Sequence, residues 1–306
     1  MSMIYDGKRK DITFCTMLFQ LPNHQNLESL KKMQRNFDKF YLPYLMDLIR
    51  TFKQVALWCD EYTADFIRKN NLDANINMRV MKFTELPHYH ERALWLKLLY
   101  GMKKHVGFLL HHKTPERWVD YLILINAKPA VIDWAAENNK FKSKYFMWLD
   151  AGALNPMYKE CWRDWDGSIR ANPERVRLAI HKTMGKRRPH FVPKFIYSLY
   201  RLFKKIPVAT RQSLRRQNLV EIAMINADYD VPGCCFMVPK NIVSEFYKQY
   251  EHVGLLMKRN GLVSTEQAIF LAMMKVDTRH MFELSYEDGY ISAYTVITKK
   301  DPDLFL

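Results

Sequence analysis

The chain has 306 residues, of which 48% are hydrophobic and 26% charged, and its formal net charge is +15. This length and hydrophobic content suffice for a large core and exclude a disordered or low-complexity protein. With only 10 glycines, the chain is not typical of an all-β barrel with glycine-rich turns. Its longest segment without Asp, Glu, Lys or Arg, residues 12–27, is too short and too polar for a spanning helix, which takes about 20 apolar residues.

The cysteines indicate a reducing compartment. There are five, scattered along the chain without CxxC spacing, so we interpret them as free thiols rather than as a disulfide framework or zinc site. The basic residues Lys8 to Lys10 lead into a strand-like run and not into an apolar leader, so we expect no secretory signal. These features together predict a cytoplasmic protein.

Most of the positive charge lies in one segment. Residues 181–217 contain eleven Lys or Arg and no Asp or Glu, which leaves 15 − 11 = +4 for the rest of the chain. Aromatic residues interleave with these charges, among them Phe195 and Tyr200. Such a segment can contact an anionic glycan, a phosphate-rich acceptor or a membrane surface. A solvated helical excursion whose aromatic residues join the core is the alternative that stays open.

The first half alternates short apolar runs with amphipathic segments. The patterns predict strands at residues 11–20, 54–60, 78–84 and 144–150, and helices at residues 27–50, 64–73, 91–104 and 121–138, with Pro43 as a break or new helix start. Strands that alternate with helices in this way favour an α/β fold with a mixed, mainly parallel central sheet flanked by helices.

The second half is less regular. Its patterns predict strands at residues 176–182 and 231–238, helices at residues 193–205, 240–250 and 264–274, and a hairpin at residues 281–298. No linker, repeat or change of composition marks a boundary. We therefore expect one domain over residues 1–306, with a basic helical excursion at about 181–217.

Polar residues at strand ends are the first candidates for a site, because ligands of open α/β sheets bind beyond the carboxyl ends of the strands. Asp150 ends a buried strand and is followed by Ala151 and Gly152, a turn that allows close backbone approach. Its carboxylate can coordinate a divalent cation and the phosphates that the cation bridges, or it can simply form an Asx-turn. Thr16 and Asp60 would border a nucleoside, although Asp60 also fits a helix start.

Four blocks resemble a known family. They are residues 124–130 (LINAKPA) with 138–141 (NNKF), residues 144–152 (KYFMWLDAG), residues 232–236 (PGCCF) and residues 264–267 (STEQ). Together they resemble the signature of the HtrL/YibB family, which is related in arrangement to GT-A glycosyltransferases. The resemblance extends over roughly residues 13–272.

The resemblance implies a GT-A-like (Rossmann-like) enzyme that transfers a sugar from a nucleotide-sugar donor, UDP-linked by analogy with the wider class, to a glycan or lipid-linked acceptor. It implies a Mn²⁺ or Mg²⁺ ion at Asp150 and Glu266 as the base that deprotonates the acceptor. The donor site would include, from the four blocks, Asn126, Lys128, Trp148, Asp150, Gly152, Gly233 and Gln267. Gly152 stands where the DxD motif of many GT-A enzymes has its second acid.

Capping offers another interpretation of Glu266, because an acid in the first turn of a helix also favours the helix dipole. If the transfer retains configuration, Glu266 would orient sugar or acceptor instead. The competing function for the whole chain is a non-catalytic basic protein that binds nucleic acid or an anionic surface through residues 181–217. No nucleic-acid motif occurs elsewhere, so we expect nucleic acid not to be a partner.

Overall fold

The architecture is taken from a computed structural model. The structure describes residues 5–7, 9–21, 37–103, 115–155, 169–171, 174–182, 229–230, 233–259, 265–275 and 281–286. The basic excursion lies outside these ranges except for residues 181 and 182, as do the predicted helix at 193–205 and most of the predicted hairpin at 281–298.

The strands are β1 (Tyr5–Gly7), β2 (Ile12–Leu18), β3 (Val55–Cys59), β4 (Ile76–Val80), β5 (Tyr145–Leu149), β6 (Ile169–Ala171), β7 (Val176–Lys182), β8 (Tyr229–Asp230), β9 (Cys235–Pro239) and β10 (Phe282–Tyr286). The helices are α1 (Leu42–Phe52), α2 (Glu61–Lys69), α3 (Arg92–Lys103), α4 (Pro115–Asn126), α5 (Lys128–Asn138), α6 (Val243–Arg259) and α7 (Glu266–Lys275). One π-helical turn, Phe37–Tyr41, precedes α1.

Seven strands form the central sheet in the order β10-β7-β9-β5-β2-β3-β4, and β8 pairs with β7 beside it. Strands β5, β2, β3 and β4 are parallel to one another, whereas β9 runs antiparallel to both β5 and β7. Strand β10 is parallel to β7, and β1 and β6 form a separate antiparallel pair. The sheet is therefore mixed and mainly parallel, which confirms the predicted fold class.

Helices cover both faces of the sheet. Alternate strand residues such as Phe14 and Leu57 pack with α1 and α2, and the intervening ones such as Trp58 and Phe146 pack with α4 to α7. Strands β2, β3, β5 and β9 are buried at every position, which explains why their sequences are continuously apolar and do not alternate. Four of the five cysteines lie in the described part of the chain, and all four are free thiols.

The predicted helix at 121–138 is wrong in one respect, because it is two helices separated at Ala127. Helix α4 ends at Asn126, and α5 begins at Lys128 with Pro129 in its first turn. Proline lacks the N–H that a continuing helix needs but fits a first turn, where that N–H has no partner within the helix. Pro43 similarly lies in the first turn of α1, which agrees with its predicted role as a new helix start.

The order in which the chain builds the strands reverses at the middle of the sheet. From the central strand β2 the chain builds β3 and β4 on one side and then crosses to β5 on the other. This reversal is a topological switch point, where ligands of open α/β sheets bind beyond the carboxyl ends of the strands. Asp150 follows β5 directly, so it lies at this point.

Candidate functional site

Asp150 sits in a tight turn at the end of β5. Its backbone N–H donates to the carbonyl of Cys234 (3.1 Å), which continues the pairing of β5 with β9. Its own carbonyl accepts from the N–H of Ala153 (2.8 Å) and closes the turn. The carboxylate is thus fixed at the sheet edge, with 43% of its side-chain surface exposed.

The ammonium group of Lys128 is the centre of the site. Its Nζ donates to Oε1 of Glu266 (2.8 Å) and to the carbonyl oxygen of Gly233 (2.8 Å), and it lies 3.1 Å from Oδ1 of Asp150. An ammonium group has three N–H donors, and three oxygens surround this one. We call Lys128, Asp150 and Glu266, with the Gly233 carbonyl, the Lys128 cluster.

The helix break at Ala127 explains where this lysine is held. Lys128 is the first residue of α5, and a positive charge is unfavourable at the N-terminus of a helix. Its side chain is only 6% exposed, so the charge is tolerated only with close anionic partners. The indole of Trp148 lies 5.5 Å from Nζ and donates its Nε1–H to Oδ1 of Asp150 (2.8 Å). Trp148 therefore stabilises the Lys128 ammonium through its ring and the Asp150 carboxylate through its N–H.

Burial and the neighbouring charges shift the pKa values of Lys128 and Glu266 in opposite directions. Burial alone would lower the pKa of Lys128, but the carboxylates of Asp150 and Glu266 more than offset it, and the pKa is raised. Burial raises the pKa of the Glu266 carboxyl, and the nearby Lys128 ammonium only partly counteracts this. With both carboxylates ionised the cluster carries a net charge of −1, and the exposed part of that charge is at Asp150.

Gly233 is required by the packing of Glu266. A Cβ atom at position 233 would overlap Oε1 of Glu266 and lie 2.9 Å from its Cδ, closer than real Cβ atoms come to a neighbour. Any side chain here would push the carboxylate away from Lys128. At Gly152, in contrast, a Cβ atom would lie 3.4 Å from Cε1 of Phe40, which is ordinary contact.

The structure brings together five of the predicted site residues, namely Lys128, Trp148, Asp150, Gly233 and Glu266. Gly152 is in the same turn as Asp150, and Gln267 is the partly exposed neighbour of Glu266 on α7. These residues are up to 138 positions apart in the sequence and come from all four blocks of the resemblance.

Three other predicted residues have different surroundings. Asn126 is buried; its amide donates to the Leu122 carbonyl (2.9 Å) and accepts from the Tyr250 hydroxyl (2.6 Å), and neither partner belongs to the Lys128 cluster. Thr16 is fully buried, and β2 continues to Leu18, so Thr16 lies before the strand end and not at it. Donor binding by these two residues stays a prediction.

Asp60 is the N-cap of α2, as its alternative interpretation required. Its Oδ1 accepts from the N–H of Thr63 (2.9 Å) and its Oδ2 accepts from the N–H of Gln20 (2.6 Å). The second bond joins the ends of β2 and β3 at the sheet edge. A nucleoside contact by Asp60 stays a prediction, and both of its oxygens already accept backbone bonds.

The donor set of the site allows one protein contact to a metal. Within the described residues no three His, Cys, Asp or Glu side chains gather into a metal-binding group. Lys128 and Trp148 both contact Oδ1 of Asp150, which leaves Oδ2 of a 43% exposed carboxylate for a ligand from solvent. Mg²⁺ is commonly held by one or two carboxylates together with substrate phosphates. The residues therefore fit a cation whose other ligands come from the substrate and water.

A second buried charge cluster, which the sequence patterns do not identify, lies around His88. His88 is 7% exposed. Its Nδ1 lies 3.3 Å from Oε2 of Glu91, and its Nε2 lies 3.1 Å from Oε1 of Glu251. The contact between Nε2 and Glu251 does not have the geometry of a hydrogen bond. Lys258 donates to the same Glu91 oxygen (2.6 Å). The i, i+3 spacing of His88 and Glu91 and the i, i+7 spacing of Glu251 and Lys258 were the available signals. We call these four residues the His88 cluster.

Comparisons with known proteins give little beyond the geometry. No protein-family model matches the chain, and no curated protein matches it. Among solved structures, the chain is similar to mouse xyloside xylosyltransferase 1 in its apo form, with 9% sequence identity, coverage of 93% of both chains and a TM-score of 0.36. A TM-score this low does not establish a common fold, so the fold class rests on the strand order. No helix in the described ranges is long and apolar enough to cross a membrane.

Proposed function

We propose that the chain is a glycosyltransferase of the GT-A type that moves a sugar from a nucleotide-sugar donor to a glycan or lipid-linked acceptor. One observation carries the proposal. Residues from all four blocks that resemble the HtrL/YibB family, far apart in sequence, meet on one buried ammonium at the switch point of an open α/β sheet. Buried charges of this kind are costly, and they concentrate at functional sites.

The chemistry of glycosyl transfer explains why such a cluster is useful. The bond between the anomeric carbon and the diphosphate oxygen breaks, its electron pair stays on the diphosphate, and the acceptor oxygen forms the new bond as its proton leaves. Negative charge therefore grows on the diphosphate, and cationic groups that are already in place stabilise it. Lys128, fixed by three oxygens, can supply one N–H to a phosphate oxygen by releasing Asp150.

A divalent cation at Asp150 would neutralise further charge on the leaving diphosphate. Asp150 would hold that ion through Oδ2 while the indole N–H of Trp148 keeps Oδ1 in place. At Gly152, where the second acid of the DxD motif would stand, a Cβ atom would meet Phe40 and Tyr41 only at ordinary contact distance. We expect Gly152→Asp to tighten Mn²⁺ binding, measured by calorimetry on the protein alone, and Gly152→Asn to tighten it less, because the amide carries no charge. Equal Mn²⁺ affinity of all three proteins would contradict this assignment.

Two roles for Glu266 are separable by experiment. Its carboxylate is 4% exposed and contacts Lys128, which supports a positioning role; the raised pKa also suits a proton acceptor. If Glu266 positions Lys128, Glu266→Gln should weaken donor binding and leave the pH profile of kcat unchanged. If it is the base, Glu266→Gln should abolish the acidic limb of that profile with donor affinity retained.

The proposal is tested by thermal shift with UDP, GDP, UDP-glucose, UDP-galactose and GDP-mannose, each with and without Mn²⁺, since ligands of the native state raise its Tm. We expect a shift with one nucleotide class in the wild type, and its loss in Asp150→Ala. Asp47→Ala is the matched control, because Asp47 is exposed to a similar extent (40%) in a surface ion pair with Arg50. Equal shifts in Asp150→Ala and wild type would refute the assigned site.

A wild type that responds to no nucleotide would refute the transferase itself. The chain would then be tested as a basic binding protein, with heparin and single-stranded DNA as probes at increasing salt. Affinity that falls steeply with salt and is unchanged in Asp150→Ala would favour that alternative.

A further inference from the structure

The Lys128 cluster contains its own cation. Nζ of Lys128 donates to Oε1 of Glu266 and to the carbonyl oxygen of Gly233, each at 2.8 Å, and forms an ion pair with Oδ1 of Asp150 at 3.1 Å. Carboxylate and carbonyl oxygens are also the ligands that hard divalent cations take in proteins. The ammonium group of Lys128 therefore neutralises oxygens that suit a divalent cation.

The three oxygens around Nζ differ in exposure. The side chains of Lys128 and Glu266 are 6% and 5% exposed, whereas that of Asp150 is 43% exposed. The two hydrogen bonds thus hold the ammonium on its buried side, and the ion pair with Asp150 lies on its exposed side. A ligand that arrives from solvent can replace the contact with Asp150 while the lysine stays hydrogen-bonded to Glu266 and Gly233.

Asp150 does not depend on Lys128 for its position. Its Oδ1 accepts the indole N–H of Trp148 (2.8 Å), and its backbone N–H and carbonyl are both hydrogen-bonded to neighbouring backbone groups. The carboxylate would therefore stay at the sheet edge without the lysine. Lys128 changes the charge that Asp150 presents to a ligand and not the place where that charge is presented.

A divalent cation at Asp150 would share this carboxylate with the ammonium of Lys128. Two positive charges on one carboxylate repel each other, and they do so more strongly near a protein surface than in bulk water. Gly152 supplies no second carboxylate to offset the repulsion. A nucleoside diphosphate can offset it, because its oxygens can accept an N–H of Lys128 and also serve as ligands of the cation.

We propose that Lys128 is the resident counter-ion of Asp150 and opposes the binding of a divalent cation until a nucleoside diphosphate accepts an N–H of the lysine. This inference rests on the proposed function, because it takes Asp150 as the ligand of the cation. The cation and the diphosphate then bind cooperatively. Without nucleotide, the lysine neutralises the site and the protein binds the cation weakly.

The test uses a double variant that keeps the net charge of the cluster. Lys128→Met/Glu266→Gln removes one positive and one negative charge, so the cluster retains its charge of −1 but loses the ammonium. Lys258→Met/Glu91→Gln is the matched control, because it makes the same two replacements in another buried ion pair. Mn²⁺ affinity is measured by calorimetry without nucleotide and again with UDP or GDP. Circular dichroism and Tm establish that each variant is folded.

The double variant Lys128→Met/Glu266→Gln should bind Mn²⁺ about tenfold more tightly than the wild type when no nucleotide is present. Lys258→Met/Glu91→Gln should behave like the wild type. UDP or GDP should raise the Mn²⁺ affinity of the wild type, and this gain should be smaller in the double variant. Equal Mn²⁺ affinity of the wild type and the double variant without nucleotide would refute the proposal.

Glu266→Gln alone keeps the test valid if the double variant does not fold. It leaves Lys128 as the counter-ion of Asp150 only, so Mn²⁺ binding without nucleotide should be weaker than in the wild type. Unchanged or tighter Mn²⁺ binding in Glu266→Gln would refute the proposal. So would a wild-type Mn²⁺ affinity that is the same with and without UDP or GDP that binds the protein.

The two proposals fail in different ways. Tighter Mn²⁺ binding in the double variant, with a wild type that responds to no nucleotide, keeps Lys128 as the counter-ion of Asp150 and refutes the transferase. A nucleotide response that is lost in Asp150→Ala, with equal Mn²⁺ affinity of wild type and double variant, keeps the transferase and refutes the counter-ion. Absence of Mn²⁺ binding in the wild type and in the double variant also refutes the counter-ion.

Discussion

The Lys128 and His88 clusters are built from similar parts and differ in position. Each has a nearly buried lysine near a tryptophan ring, at 5.5 Å for Lys128 and Trp148 and at 5.8 Å for Lys258 and Trp95. The Lys128 cluster gathers residues at the carboxyl end of the sheet, whereas the His88 cluster ties the segment after β4 to α6.

The difference shows which buried charges indicate a ligand site. In the Lys128 cluster, the net charge of −1 extends to a carboxylate that is 43% exposed at a switch point. In the His88 cluster, Lys258 pairs with Glu91, and His88 balances Glu251 when it is protonated, so the charges are then neutralised internally. An uncompensated, accessible charge favours ligand binding, and an internally balanced one favours a structural role.

The largest effect is expected from removing the central cation. Lys128→Met leaves the Glu266 carboxylate buried without its partner, and breaking a buried pair in this way costs about 3–5 kcal/mol of unfolding free energy. Lys258→Met should cost less, because Glu91 retains His88. Urea denaturation of both variants measures the difference.

The double variant Lys128→Met/Glu266→Gln is the control for this explanation. It removes both buried charges, so it should be more stable than Lys128→Met alone. If the double variant is less stable than Lys128→Met, the loss comes from packing and not from an unpaired charge.

The next effect tests the space that Glu266 occupies. Gly233→Ala puts a Cβ atom 2.9 Å from Cδ of Glu266, and overpacking of this kind costs about 1–3 kcal/mol. Gly254→Ala is the matched control. Gly254 lies inside α6, where alanine is more favourable than glycine by up to about 1 kcal/mol of helix propensity, and its Cβ would meet only the flexible end of Ile269 (3.3 Å). Equal unfolding free energies for the two variants would show that Glu266 moves aside without cost.

Asp60→Ala should have a smaller effect on stability. It removes the N-cap of α2 and the bond to Gln20, and loss of such a cap costs about 1 kcal/mol. Asp60→Asn should retain part of the cap. Nucleotide binding, measured on the same proteins, decides whether Asp60 also contacts a nucleoside: a loss of nucleotide affinity in Asp60→Asn beyond its loss of stability would establish the contact.

The smallest effect is a pH dependence of stability above pH 6.5 that comes from the His88 cluster. Burial alone would lower the pKa of His88, but Glu251 and Glu91 more than offset it, and the folded-state pKa lies above the ordinary value of 6.5. The stabilisation is therefore complete below pH 6.5 and is lost as the pH rises through the folded-state pKa. His88→Gln should flatten this slope of unfolding free energy against pH, and Glu266→Gln should preserve it. A slope that persists in His88→Gln belongs to another group.

Sequence patterns were sufficient for four inner strands of the sheet and for the strand-end acid. Strands β2, β3, β5 and β7 lie where their apolar runs predicted, and Asp150 ends β5 as expected. The break at Ala127 was missed because Leu122, Ile125 and Val131 keep a helical pattern across it. Pro129 was the local signal for a new helix start.

The contacts within the site could not be derived from spacing. Lys128 and Glu266 are 138 residues apart, and only the packing of α5, α7 and the turn at Gly233 brings them together. Asn126 shows the reverse: it lies two residues from Lys128 in a matching block, yet its side chain joins α4 to α6. Periodicity predicts which face of a helix is buried, but it does not say which distant residue meets a given side chain.

The joint at Ala127 makes the residues on either side of it two separate anchors. Asn126 holds the end of α4 to α6, and Lys128 holds the start of α5 to the carboxylates of Asp150 and Glu266. One residue inserted between them would leave both side chains present, but both anchors would no longer engage at once without a change in the backbone around Ala127. Selection on this protein should therefore act on the length of this joint as strictly as on the identity of the residues beside it.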